Sequence, residues 1–400
     1  MLKKYGLLLG AFGFSYLGNW IYLVALNILI LDLTGSAAAV AGIYIIGPVA
    51  RIMTSFFAGS IIDRSNKRKI MITSDIIRGL LVCFVPFMGS IGVIYTILFI
   101  SNIAGAFFGP SSTYYITKFV SDHDKKQFNA WLGMMSSGAF LLGPALGGVL
   151  LSSFGITWTI MVNGLTFFVC ALTISLLPSI QEVQENIRQN LTLRVLADDY
   201  NKVRSFIKTN RSFFTIYLIF QSLLMVGFAL DSQEVTFLKQ NLNLSDQTYG
   251  LIISIAGVGS LVGASVAAGL AKKISLKAYI SLGLFLTMFC YTAFYTSYNL
   301  WMALVAFICL GFFMAFSNAG YETFYQKNVP AELMGRFGSL ASIYQNVIQI
   351  VFTFLLGVCA ELFTLQQSAI GFGMLSTICT LALIVIVYSQ KSARLFKESH

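Results

Sequence analysis

Few residues in this 400-residue chain are equipped for chemistry, and most of those stand inside apolar runs. Asp231 and Glu234 lie three apart, a spacing that puts two carboxylates on one helix face. In a low-dielectric cavity two such groups do not ionise together easily, so one keeps its proton towards neutral pH. That is the property a proton-coupling site needs. Arg51 lies about twelve residues from Asp63, ~18 Å of helix, which places it near mid-membrane, where it pairs with these acids or senses their charge. A plainer alternative puts both acids at an outer water boundary next to Lys239. Asp75 and Arg78, also three apart, read most simply as a local ion pair. Glu322 and Asn318 are four apart and expected at a cavity mouth near the cytoplasm.

Other chemistries find no support. The two histidines, His123 and His400, fall in a loop and at the end of the sequence, so neither a Ser-His-Asp set nor a buried metal site is expected. All six cysteines sit in apolar runs without a C-x-x-C pair and read as packing residues. Lys never follows Gly, which excludes a P-loop ATPase within the polypeptide, and Gly257-x-Gly259 lacks the third glycine of a dinucleotide site. The expectation is a chain that is not an enzyme, with no catalytic residue, metal or cofactor.

Membrane helices have to position these residues. Hydrophobic residues make up 57% of the chain, charged residues 10%, and mean hydropathy is +0.78, far from the roughly 25% charged residues of a soluble domain. With about 20 residues per crossing, the pattern predicts an all-α polytopic protein of twelve spans. They are placed at 6–32, 36–62, 70–90, 92–117, 128–153, 156–178, 212–238, 247–271, 276–297, 300–326, 337–361 and 366–389. All but three of the 26 Lys and Arg then fall on one side, the exceptions being Lys239, Arg51 and Arg78. By the positive-inside rule both termini are cytoplasmic. The first run, with Lys3 and Lys4 ahead of it, mimics a secretory signal but reads as an uncleaved span. The net charge of +10 is scattered through short loops, so no nucleic-acid partner is expected.

Three segments follow from this layout: an N-terminal six-helix bundle (1–179), a cytoplasmic linker (180–210) and a C-terminal six-helix bundle (211–400). A shift of 210 residues aligns Gly59 with Gly269, Tyr115 with Tyr325 and Lys125-Lys126 with Gly335-Arg336, as expected of two parallel repeats around a midplane site. In the linker, Val195, Leu196, Tyr200, Val203, Phe206 and Ile207 alternate with Lys202, Arg204 and Lys208, a pattern for an amphipathic helix on the membrane surface that tethers the halves.

The gap after the second span reads Gly59-Ser60-Ile61-Ile62-Asp63-Arg64-Ser65-Asn66-Lys67-Arg68-Lys69. This string resembles the loop signature of the major facilitator superfamily, G-x-x-x-D-R-x-G-R-[RK], with Asn66 in place of the second glycine. Asn tolerates left-handed backbone, so a tight turn is expected to survive there. The resemblance implies that Asp63 docks on the other half and latches one conformational state, with Arg64, Arg68, Asp75 and Arg78 around it. The equivalent stretch from Gly269 to Lys277 puts Lys273 where Asp63 would align, so that half is expected to lack the full latch. In the fifth span Gly138 precedes Gly143-Pro144-Ala145-Leu146-Gly147-Gly148, which is similar to the G-x-x-x-G-P-x-x-G-G signature of exporters in the superfamily and implies outward transport by antiport. Gly143 and Gly147 leave a smooth face for close helix approach, Pro144 adds a bend, and Gly257, Gly259 and Gly263 would supply a matching surface. Further strings (Leu33 to Ala37, Gly105 to Pro110, Val162 to Phe167, Val329 to Arg336) resemble the bacterial branch that holds macrolide-efflux and enterobactin-exporter proteins.

For cargo, Trp20 and Asn27 share a stripe on the first span, and Gln345 and Gln349 lie four apart on the eleventh. With Asn102, Gln221, Asn318, Tyr321 and Glu322 they are expected to line a cavity for large, mostly apolar molecules carrying a few hydrogen-bonding groups. Asn102 stands in the fourth span where many proton-coupled superfamily members carry an arginine. The resulting expectation is a monomeric multi-pass carrier of the bacterial cytoplasmic membrane, exporting amphiphilic, macrolide-like drugs by proton antiport. Export of an endogenous metabolite such as a siderophore, lipid facilitation and a non-transporting scaffold are the alternatives.

Overall fold

Backbone that crosses hydrocarbon has to satisfy its own hydrogen bonds, and helix is the only regular structure among the described residues. The computed structural model describes residues 2–55, 58, 61–62, 65–179 and 193–396. The helices are α1 (Leu2–Thr34), α2 (Ala37–Ser55), α3 (Lys67–Phe84), α4 (Ile91–Phe119), α5 (Asp122–Leu176), α6 (Leu193–Thr209), α7 (Arg211–Asp231), α8 (Asp246–Leu270), α9 (Leu276–Tyr295), α10 (Leu300–Asn328), α11 (Ala331–Leu362) and α12 (Leu365–Tyr388).

Among the described residues, eleven of these are long and apolar enough to cross a membrane. The twelfth expected span is inside α5, which is two limbs meeting at Gly155 (φ 79°, ψ 174°). The predicted gap between 153 and 156 falls on that residue. A left-handed φ costs glycine nothing, so the chain turns there without a polar loop.

The expected seventh span is also not one rod. α7 stops at Asp231, Ser232 and Gln233 (φ −106°, ψ −1°) interrupt the ladder, and a turn at Glu234–Thr236 leads into π-helical Phe237–Asn241. Asp231 and Glu234 therefore do not share a continuous helix face, contrary to the reading from their spacing. No Gly or Pro marks the break in the sequence.

The chain resolves into two compact units, Met1–Val183 with Gln233–Ile255, and Gln184–Ser232 with Ala256–His400. In the first, α1 runs along α5, α3 packs on α4 and α5, and α2 on α4. Its core holds Tyr5, Phe12, Met71, Tyr115, Phe128 and Cys170, with the Tyr5 ring edge-on to Phe119 (5.5 Å) and Phe128 (6.0 Å). In the second, α9 packs on α10 and α12, while α7 meets α11 and α12. Here α6 buries Val203 and sets Phe206 against Phe213 (5.8 Å) and Phe337 (6.1 Å), so part of its apolar side is taken up by protein.

Candidate functional site

The site starts from a close crossing of α3 with the second limb of α5. A Cβ added at Gly79 would stand 3.1 Å from the Gly164 carbonyl oxygen, and one at Gly164 equally close to that of Gly79, so glycine at both positions lets the backbones meet. Arg78 and Asn163 each precede one of these glycines, and the same crossing fixes where they sit. They line a cavity of about 250 Å³ together with Asn19 and Tyr22 of α1, Arg51 of α2 and Asn102 of α4.

Arg78 is held on two sides: its Nη1 lies 3.4 Å from Asp75 Oδ1, and its guanidinium carbon 3.9 Å from the centre of the Phe167 ring. Asp75 is fully buried. The expected pair of Asp75 and Arg78 is thus present, but its arginine also faces a cavity. Arg51 is exposed, and Gly47 leaves room beside it, since a Cβ there would come within 3.3 Å of Asn102 Oδ1 and 3.6 Å of Arg51 Nη1. Asn102 Nδ2 donates to the Leu98 carbonyl (2.8 Å). Two cavity-lining groups have no hydrogen-bond partner among the described residues, Asn163 Nδ2 and the Tyr22 hydroxyl. Arginine, amide and phenol offer donors to an acceptor ligand. Asn19, Tyr22 and Asn163 were not expected at a site from the sequence, although Asn163 carries the same signal as Asn102, a strongly polar residue deep in an apolar run.

Beyond the break, Glu234 belongs to the first unit, is 8% exposed, and has the Tyr249 hydroxyl as an electrostatic neighbour. Asn27, buried nearby, donates to the Tyr44 hydroxyl (2.9 Å). Gln233 donates to the Ala37 carbonyl (3.1 Å). Asp231, in the second unit, accepts from the Tyr291 hydroxyl (2.6 Å). Lys239 binds Asp246 (2.7 Å) and Asp32 (3.3 Å).

Of the loop string, Gly59, Asp63 and Arg64 lie outside the described residues. Asn66 is not left-handed: at φ −66°, ψ 111° it caps α3, its side chain accepting the Lys69 N–H at 3.0 Å. Asn at an N-cap satisfies an end donor, which replaces the turn role inferred for it. Arg68 donates from Nε to the Ile174 carbonyl (3.0 Å) and from Nη2 to that of Ser175, tying the start of α3 to the last carbonyls of α5.

The glycine string of α5 is used on two faces. Gly143 and Gly147 meet α1 at Trp20 and Ile21, while Gly148 lies against Asp246 and Gln247 at the start of α8, where Pro144 and Gly250 also touch and Ser254 Oγ accepts the Ala145 N–H (2.8 Å). Gly138 meets nothing within 4 Å. Gly259 and Gly263 pack on Ile308 and Phe312 of α10, within the second unit.

The expected cargo residues are shared between the two units. Trp20 meets the Phe140 ring at a tilt (4.8 Å, 58°). In the second unit Tyr321 lies flat on Phe220 (5.0 Å, 10°), with the Gln221 side chain beside its hydroxyl and Gln345 beside that of Tyr217. Gln349 is half-buried on α11, and Asn318 and Glu322 are exposed on α10.

Apolar helices gathered in two compact units, the first of which holds a donor-lined cavity, are compatible with a membrane carrier for small molecules. The chain belongs to the Major Facilitator Superfamily, whose family model matches residues 8–353 and 234–398. It is 26% identical over 348 residues to the multidrug efflux pump Tap of Mycolicibacterium fortuitum, covering 81% of this chain and 82% of that one. It is 20% identical over 394 residues to the staphyloferrin A transporter of Staphylococcus aureus, covering 96% of each. The crystal structure of the nucleoside transporter NupG superposes with a TM-score of 0.76 at 14% identity, covering 96% of this chain and 99% of that one, which shows a common fold. The protein is a multi-pass membrane transporter.

Proposed function

We propose that the protein is a secondary active exporter of amphiphilic small molecules, driven by inward proton flow across the bacterial cytoplasmic membrane. Two six-helix bundles, 1–179 and 211–400, would expose the cargo site to one face of the bilayer at a time, tethered by 180–210 with both termini cytoplasmic. The similarity to Tap and the exporter-type glycines of α5 support outward transport. The observation that carries the coupling is Glu234, a carboxylate buried at a break in an otherwise apolar span. Asp231 on the other side of the break and Arg51 complete the set of coupling residues. At about 100 mV one inward proton releases roughly 2.3 kcal/mol, enough for about a fiftyfold cargo gradient.

Erythromycin uptake into everted, proton-pumping vesicles tests this reading. Wild type accumulates the drug and loses it on addition of an uncoupler, E234Q falls at least about tenfold, and D231N falls less. Full activity in both amide variants removes the coupling proposal, and absence of uptake by wild type removes drug export.

A further inference from the structure

The wall of the cavity in the first unit holds two buried polar groups whose hydrogen-bonding capacity is unspent. The Asn163 side chain is 1% exposed; its Oδ1 accepts from Thr166 Oγ1 (3.1 Å), while its Nδ2 has no partner among the described residues. The Tyr22 hydroxyl, also buried, has none either. Loose packing is not the cause. A Cβ added at Gly18, one turn before Tyr22 on α1, would stand 2.8 Å from Asn163 Oδ1, so α1 and α5 meet there at glycine distance. A buried donor left unmet costs more than a satisfied one contributes, and native interiors keep few of them. Two in the wall of one cavity fit an acceptor that is present only part of the time, which is the condition of a cargo site.

Charge sets the kind of acceptor. Neither arginine of the wall is spare: Arg78 holds Asp75 at 3.4 Å, and Arg51 has an interaction of its own. A carboxylate or phosphate would bring a full negative charge to a low-dielectric wall whose cations are already engaged. The open amide N–H and phenol O–H present only partial positive charge, which suits the negative end of a neutral dipole, a carbonyl oxygen. Volume agrees. About 250 Å³ is below the ~300–1,000 Å³ of a whole drug site but ample for a carbonyl and the carbons around it.

We propose that this cavity is a carbonyl-binding subsite of the cargo site, with Asn163 Nδ2 and the Tyr22 hydroxyl as its two donors, so that the cargo includes neutral amphiphiles carrying a ketone, ester or amide oxygen. The assignment rests on the transport reading above only in calling the ligand cargo.

Equilibrium binding of tritiated 1-acetylnaphthalene to the purified full-length protein in nanodiscs tests it, with unlabelled 1-ethylnaphthalene and 1-naphthoate as competitors. The ketone binds saturably, and both competitors are weaker than unlabelled ketone by about tenfold or more, since one lacks the acceptor and the other adds an unbalanced charge. Y22F and N163L each weaken the ketone about fivefold, the worth of one neutral hydrogen bond, and leave 1-ethylnaphthalene within about twofold. Y22F also unfolds at or above the wild-type midpoint, because it deletes a hydroxyl that the empty protein leaves unmet. A lower midpoint in Y22F, ethylnaphthalene or naphthoate competing as well as the ketone, unchanged ketone binding in both variants, or no saturable binding below the solubility limit of the ketone would each overturn the assignment. Ketone-selective binding without proton-driven uptake sinks the export reading and leaves the subsite standing; uptake of erythromycin without ketone selectivity does the reverse.

Discussion

The cavity of the first unit is lined by charge and amides, whereas the cluster around Tyr321 in the second is built of rings. Arg51, Arg78 and Asp75 stand among asparagines in the former, whereas Tyr217, Phe220 and Tyr321 stack around Gln221 and Gln345 in the latter. Charge fixes a ligand by sign and direction, while ring faces accept many outlines at similar energy. The first set therefore suits a group of fixed sign, and the second suits apolar faces of varied outline. That division of labour is exposed to test by substitutions on either side.

The largest effect is expected for R78A, which strips the fully buried Asp75 of its partner and should lower stability by about 3 kcal/mol in SDS titration of the purified protein, with D75N in the same chain restoring part of it. A loss well under ~1 kcal/mol would mean that the first unit does not depend on its charges. Next, G148L and G263L overpack one backbone contact in each unit, against Asp246 and Phe312, and should each cost about 1–3 kcal/mol in the same titration. If only one does, the two units differ in tightness as well as in polarity. Removing the flat ring contact on Phe220 with Y321A should weaken aromatic ligands by about 1 kcal/mol in competition binding. Smallest is K239Q, which removes ion pairs to Asp32 and Asp246 that are partly exposed; stability should fall by no more than ~1 kcal/mol and the difference should shrink in high salt.

Run length and charge made the spans legible in the sequence, and even the turn at Gly155 falls inside the predicted gap, because a bilayer imposes one thickness on every crossing. The ion pair of Asp75 and Arg78 was legible for a similar reason, since three residues in a helix have one geometry. The same rule failed for Asp231 and Glu234, where the helix stops between them at Ser232 and Gln233, residues with no intrinsic breaking power. That break is held by tertiary contacts such as Gln233 to the Ala37 carbonyl, and contacts of that range leave no local trace. Asn66 failed differently: it is equally at home as a cap and in left-handed backbone, and only the position of the α3 start decides. The donor cavity stayed hidden because its members come from five helices, and Asn19, Tyr22 and Asn163 each look like ordinary interhelical hydrogen-bonding residues in isolation.

The corner at Gly155 also carries Phe154 and Trp158, both 64% exposed, on an uncharged tip with no loop beyond it. An indole so placed settles at the headgroup boundary, where its ring is half in oil and its N–H in water. The tip is consequently a plumb mark for the fifth and sixth crossings: in a variant with Trp20, Trp131 and Trp301 replaced by Phe, quenching of Trp158 fluorescence by lipids brominated at graded chain positions would read their depth.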